Sequence, residues 1–82
     1  MLKSLLAKAR NAFNNAEDNE EVVLVVNGKE TNNTYPIAAM GEPDGKTPDD
    51  WVRGIAFHYQ WINFNGTLSF KTRKCNPFKF NY

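Results

Sequence analysis

The apolar run Val22–Val26 is the longest in the chain, and four of its five residues are valine. Valine favours extended backbone, because its branched Cβ restricts the side chain in a helix. The run lacks alternating polar residues, which indicates a strand covered on both faces. It is far shorter than the roughly 20 residues that cross a bilayer as a helix. We therefore predict a buried strand, and no contact with a membrane.

An amphipathic helix is predicted just before this strand. Apolar residues recur there at the three-and-four spacing of one helical face. The same basic, amphipathic start also resembles a mitochondrial targeting segment or a membrane-surface helix. Packing is the simpler interpretation, because the sheet needs an apolar cover. The predicted helix spans residues 2–16, and its apolar face contains Leu2, Leu5, Leu6, Ala9, Ala12, Phe13 and Ala16.

Turn residues follow the apolar run. Asn27-Gly28 and Asn32-Asn33 are both candidate reversals, and the sequence alone does not choose between them. Either one leads into a second strand over residues 34–39. Pro36 cannot donate a ladder hydrogen bond, so it restricts this strand to an edge or a bulge.

A short helical turn is predicted next. Thr47 is a suitable N-cap, Pro48 suits the first helical position, and Asp49-Asp50 gives an acidic first turn. Gly54 is placed to end the turn.

Residues 55–62 change to a period of two, and Asn65-Gly66 follows them. This pattern predicts a hairpin in which Trp61 faces Phe70 on the side of the sheet that the helix covers, which assigns both to the core. A competing interpretation continues the helix from Thr47 as far as residue 59, since apolar residues there also match helical spacing. Gly54 and the many aromatic and β-branched residues favour the strand.

The predicted fold is α+β, with an N-terminal amphipathic helix packed on a four- to five-stranded, mainly antiparallel sheet. A last edge strand is expected where Phe78, Phe80 and Tyr82 alternate. With 82 residues the chain supports one core, so residues 1–82 are expected to form a single small domain. Cys75 is the only cysteine, so we expect folding without a disulfide in a reducing, cytoplasmic compartment.

Charge is segregated along the chain, although the net charge is only +1. Residues 1–16 contain cations and no acid, residues 17–50 contain all nine acids, and residues 51–82 contain five cations and no acid. Nine of the eleven aromatic residues also lie in the last block, so a surface built from it is expected to be both cationic and aromatic.

Catalytic and metal-binding patterns are weak throughout. His58 is the only histidine, and it has no further ligand at metal-binding spacing. Adjacent acids such as Glu20-Glu21 point apart on a strand and do not flank a scissile bond. Residues 41–47 have three rather than four residues between their glycines, unlike a phosphate-binding loop. We therefore expect a non-enzymatic protein without metal or cofactor.

A domain of this kind is expected to bind a larger protein. Small virus-encoded inhibitors that block a host protein or complex are typical of this size. The acidic block would present a negative surface to a basic groove on the partner. The predicted partner-binding residues are Glu20, Glu21, Glu42, Asp44, Asp49 and Asp50.

The alternative function is binding of single-stranded nucleic acid through the basic, aromatic last block. Aromatic rings stack on bases and cations follow the phosphates in such domains. The predicted contact residues are His58, Gln60, Lys71, Arg73, Lys74 and Lys79. If neither charged set matters, the apolar part of the exposed face around Ile62 is the remaining candidate.

Overall fold

A computed structural model describes residues 2–39 and 48–75, which form an α+β arrangement of two α-helices and three strands. The strands form one antiparallel sheet in the order β2-β1-β3. The elements are α1 Leu2–Asn15, β1 Glu20–Val26, β2 Lys29–Pro36, a 3-10 turn Ile37–Ala39, α2 Pro48–Trp61 and β3 Leu68–Lys74.

The predicted apolar strand is the centre of the sheet. β1 is hydrogen-bonded to β2 on one side and to β3 on the other. Residues 22–25 are all buried. Because successive side chains of a strand point to opposite faces, this burial covers both faces of β1. Burial on both faces therefore explains why the sequence of β1 lacks polar alternation.

Asn27-Gly28 makes the turn between β1 and β2. Both residues have positive φ, at 51° and 79°, as a type I′ hairpin turn requires. Val26 consequently faces Lys29, and β2 starts five residues before the predicted second strand. The other candidate turn, Asn32-Asn33, lies inside β2. Pro36 is the last residue of β2, which is an edge strand of the described sheet.

Both helices pack on the same face of the sheet. The predicted N-terminal helix is confirmed, with Leu5 and Ala9 among its buried residues. They meet Val22 and Leu24 of β1 and residues of α2 in one apolar cluster. Burial of a large aliphatic side chain stabilises the fold by about 1.5–3 kcal/mol, so this cluster supplies the main favourable contribution to folding.

The predicted strand at residues 55–62, and the hairpin at Asn65-Gly66, are wrong. Residues 55–61 belong to α2, which continues through Gly54 to Trp61, and residues 62–67 form the connection to β3. The capping pattern at Pro48 starts the helix, and Val52 and Ile55 bury its apolar face. A glycine inside a helix costs only about 1 kcal/mol relative to alanine, which this burial outweighs.

The predicted number of strands is wrong for the same reason. The described residues form three strands rather than four or five, because one predicted strand is helical. Phe70 pairs with Leu24 of β1 instead of facing Trp61. The predicted last strand, at Phe78, Phe80 and Tyr82, lies outside the described residues.

A tight connection joins α2 to β3. The Phe64 amide donates to the Tyr59 carbonyl at 2.9 Å, and the two rings lie 5.0 Å apart between centroids. The Thr67 amide donates to Asn27 Oδ1 at 3.0 Å, which ties this connection to the β1–β2 turn. A Cβ at Gly66 would overlap both Asn27 Oδ1 and the Phe64 ring. Gly66 therefore allows the close approach of these two side chains.

Replacing each of two glycines with alanine should have opposite effects on stability. Gly66→Ala should lower the free energy of unfolding by about 1–2 kcal/mol, because the new methyl group displaces Asn27 or Phe64. Gly54→Ala should raise it by about 1 kcal/mol, because alanine favours the helix and, outside the backbone of α2, no atom of residues 2–39 and 48–75 lies within 4 Å of the added Cβ. Urea unfolding of both variants measures these changes, and equal effects would contradict the described α2–β3 connection.

Candidate binding surface

The predicted acidic residues are spread over different parts of the structure. Val22 and Leu24 of β1 face the helices. Successive side chains of a strand point to opposite faces, so Glu21 lies on the sheet face away from the helices. Asp49 and Asp50 lie in the first turn of α2, on the helical side. Glu20 starts β1, and its Oε1 accepts a hydrogen bond from the Glu17 amide. The other two predicted acids, Glu42 and Asp44, lie outside the described residues.

The predicted basic residues are also divided between the two sides. Lys71, Arg73 and Lys74 lie on β3, whereas His58 and Gln60 are exposed on α2. Lys79 lies outside the described residues. The five predicted nucleic-acid contacts that lie within the described residues are therefore not brought together on one face.

Ion pairs join the three β3 cations to acids of the middle block. Arg73 donates two hydrogen bonds to Glu21 Oε2, at 2.7 and 3.1 Å, and one to Glu30 Oε1 at 3.1 Å. Lys71 donates to Glu30 Oε2 at 2.9 Å, and Lys74 donates to Glu17 Oε2 at 2.8 Å. Each cation therefore already has a carboxylate partner.

The pKa shifts of these groups follow from the same hydrogen bonds. The bond to Glu21 is the main cause of the raised pKa of Arg73, and the bond to Glu17 is the main cause of the raised pKa of Lys74. Hydrogen bonding by Lys71 is the main cause of the lowered pKa of Glu30. These directions show that the paired charges stabilise one another.

The most exposed large apolar side chains among the described residues lie on α2 and directly after it. Phe57 and Trp61 have relative exposures of 74% and 75%, and the following Ile62 is 48% exposed. Phe57 and Trp61 are four residues apart, so they are neighbours on one side of the helix. That side is opposite the one through which Val52 and Ile55 enter the core. We call Phe57, Trp61 and Ile62 the α2 aromatic surface.

The other tryptophan of α2 has a structural role. Trp51 contacts the rings of Phe13, Tyr35 and Phe70, at centroid distances of 6.1, 5.6 and 5.4 Å. Its Nε1 donates a hydrogen bond to Asn33 Oδ1 at 2.9 Å. Trp51 is thus fixed between the helices and the sheet, in contrast to Trp61.

A shallow groove of about 440 Å³ lies beside Gly54, between α2 and β2. Gly54 lies on the same face of α2 as Phe57 and Trp61, because it precedes them by three and seven residues. Its missing side chain leaves one side of the groove open. We call this space the Gly54 groove, and its lining residues are Asn33, Asp50, Trp51, Gly54, Ile55, His58 and Tyr59.

The α2 aromatic surface was missed as a unit by sequence reasoning. The strand interpretation assigned Trp61 to the core and only Ile62 to an exposed apolar patch. The competing helical interpretation contained the needed signal. A helix that buries Val52, Ile55 and Tyr59 turns Phe57 and Trp61 to the opposite side.

The described residues contain no group of three or more metal-ligating side chains. Over the same residues, no helix is long and apolar enough to cross a membrane. Cys75 is half-buried, and its amide donates to the Asn19 carbonyl at 3.0 Å.

Removal of Arg73 should destabilise the fold more than removal of Lys74. Glu21 has only 1% exposure, so Arg73→Met leaves a buried carboxylate without its guanidinium. We expect a loss of about 2 kcal/mol, less than for a fully buried pair because water reaches Arg73. Lys74→Met is the matched control, with little effect, because its partner Glu17 is exposed. Urea unfolding should rank the variants in this order, and a larger loss for Lys74→Met would contradict it.

Comparison with known proteins gave no match among protein-family models, curated proteins or solved structures. The function of the chain is therefore inferred from its own residues.

Proposed function

We propose that this chain is a protein-binding domain that contacts its partner through the α2 aromatic surface. The observation that carries the proposal is the exposure of Phe57 and Trp61, two neighbouring aromatic side chains that are each about three-quarters exposed. Monomeric proteins rarely expose contiguous apolar patches of more than a few hundred Å², and such patches often mark interaction sites.

Burial of these side chains by a partner would release substantial free energy. A fully buried aromatic side chain contributes about 1.5–3 kcal/mol through its apolar area. Tryptophan is also among the residue types that most often dominate binding energy in protein interfaces. Phe57 and Trp61 are held on a regular helix, so little backbone entropy is lost when they bind.

The arrangement favours a partner with an apolar groove. Gly54, Phe57 and Trp61 follow a spacing of three and then four residues, which is typical of a helix that lays one face into a groove. A second copy of the chain is a poorer partner. Two copies joined only through this patch would bury about 800 Å² in all, given the usual area of aromatic side chains. Stable interfaces bury about 1,200–2,000 Å².

The ion pairs of β3 favour protein over nucleic acid as the partner. A phosphate that approached Lys71, Arg73 or Lys74 would meet a carboxylate already bonded to each cation, which repels it. On this proposal the domain acts by covering part of a larger cytoplasmic protein, as an inhibitor of that protein would. The predicted acidic residues contribute through Asp50, which is exposed near Gly54.

Loss of the two aromatic side chains should abolish partner binding without unfolding the domain. We expect Phe57→Gln combined with Trp61→Gln to weaken binding of the captured partner by about thirtyfold or more. The free energy of unfolding should change by no more than about 0.5 kcal/mol, because both side chains are exposed. Affinity capture from the cells that express the chain, followed by titration with the purified partner, measures the effect.

Gln60→Ala is the matched control, since Gln60 is an exposed residue of the same helix outside the α2 aromatic surface. It should bind the partner as the parent chain does. If the double variant keeps full affinity, the α2 aromatic surface is not the interface. If Lys71→Glu with Lys74→Glu abolishes binding instead, and binding is to an oligonucleotide, the nucleic-acid alternative replaces this proposal.

A further inference from the structure

We infer that the partner carries an arginine whose guanidinium enters the Gly54 groove and pairs with Asp50. This inference rests on the proposed function and names the chemistry of the partner segment that lies beside the α2 aromatic surface.

Asp50 supplies the charge for this contact. Its neighbour Asp49 is paired with Arg10, with 2.8 Å between Asp49 Oδ2 and Arg10 Nη2. Asp50 is exposed and has no ion-pair partner within residues 2–39 and 48–75. Asp50 is the one acid among the described residues that line the Gly54 groove. A cation from a partner could therefore form an ion pair with the Asp50 carboxylate without breaking an ion pair between described residues.

The walls of the groove suit a planar cation. Trp51 and Tyr59 are among its lining residues, and cations are attracted to the faces of aromatic rings. The Trp51 ring is held in place by its hydrogen bond to Asn33 and by its three aromatic contacts. A guanidinium stacks on aromatic rings and pairs with a carboxylate through two N–H groups at once, whereas an ammonium does not stack.

Gly54 makes the groove accessible. An exposed glycine inside a helix costs about 1 kcal/mol relative to alanine, and outside the backbone of α2 no atom of the described residues comes close enough to require it. A side chain at this position would project between Asp50 and His58, which are its neighbours one turn away on the same helix. The glycine is therefore explained by a group that approaches α2 from outside.

Other occupants fit less well. An anion would be repelled by Asp50. An apolar side chain would remove Asp50 from water without giving its carboxylate a partner, which is unfavourable. An arginine satisfies both the carboxylate and the rings, and it lies next to Phe57 and Trp61, where the apolar part of the partner is proposed to bind.

The test uses the full chain and two small probes that differ only in charge. N-acetylarginine amide is titrated into ¹⁵N-labelled protein, and N-acetylcitrulline amide serves as the neutral isostere. We expect the arginine probe to shift the Gly54 amide and Trp51 indole signals in a saturable way. Asp50→Asn and the citrulline probe should each weaken binding by about tenfold, which corresponds to about 1.4 kcal/mol.

Two further variants make the outcome specific. Gly54→Leu should abolish the shift of the Trp51 indole signal by filling the groove, and Asp49→Asn should leave both shifts unchanged because Asp49 already pairs with Arg10. Equal binding of arginine and citrulline, or an unchanged response in Asp50→Asn, would overturn the inference. Equal binding of N-acetyllysine amide would overturn the choice of arginine. The proposed function fails separately, when the double variant of Phe57 and Trp61 keeps its partner.

Discussion

Val22 and Leu24 of β1 are almost completely buried beneath α1 and α2, and this contact determines where the other elements lie. β1 is buried on both faces and also lies at the centre of the sheet, with β2 and β3 hydrogen-bonded to its two sides. Both helices are then required on one face to cover Val22, Leu24 and Leu68. Since α2 uses Val52 and Ile55 for this cover, its opposite side, with Phe57 and Trp61, is left in solvent.

The charge segregation of the sequence is resolved within the fold. β1 lies beside β3, so acids of the middle block meet cations of the last block, as in the pairs of Glu21 and Glu30 with Arg73. Arg10 of the first block likewise meets Asp49. Within the described residues, four acids and four cations are thus paired with one another and are less available to a partner than the sequence suggests. Among the predicted acidic contacts, Asp50 is the residue whose exposure and lack of an ion pair, within the described residues, leave it suited to a partner.

The sequence was sufficient to predict the elements whose patterns had one interpretation. The helix at residues 2–16 was predicted because its apolar residues follow one helical face. The strand at Val22–Val26 was predicted because it has no alternating polar residues. Residues 55–62 satisfied two periodicities at once. Tertiary packing of Val52 and Ile55 decided for the helix, and local propensity, with Gly54 as a presumed end, gave the wrong answer.

The α2 aromatic surface could be predicted only once residues 55–61 were assigned to a helix rather than a strand. As a strand, the segment places Trp61 inside, and as a helix it places Trp61 outside. Pairing of Lys71, Arg73 and Lys74 with acids depends on β3 lying beside β1, which the incorrect hairpin with residues 55–62 concealed. Asn27-Gly28 was a correct turn candidate, but the choice over Asn32-Asn33 required the register of the whole hairpin.

The central claim is that partners contact the exposed side of α2 and not the opposite face of the sheet. Site-specific photocrosslinking tests it most directly. A photoreactive benzoylphenylalanine is placed at Phe57 in one variant and at Lys71, on the far sheet face, in another. We expect a covalent adduct with a partner protein from position 57 and none from position 71. An adduct from position 71 alone would contradict it.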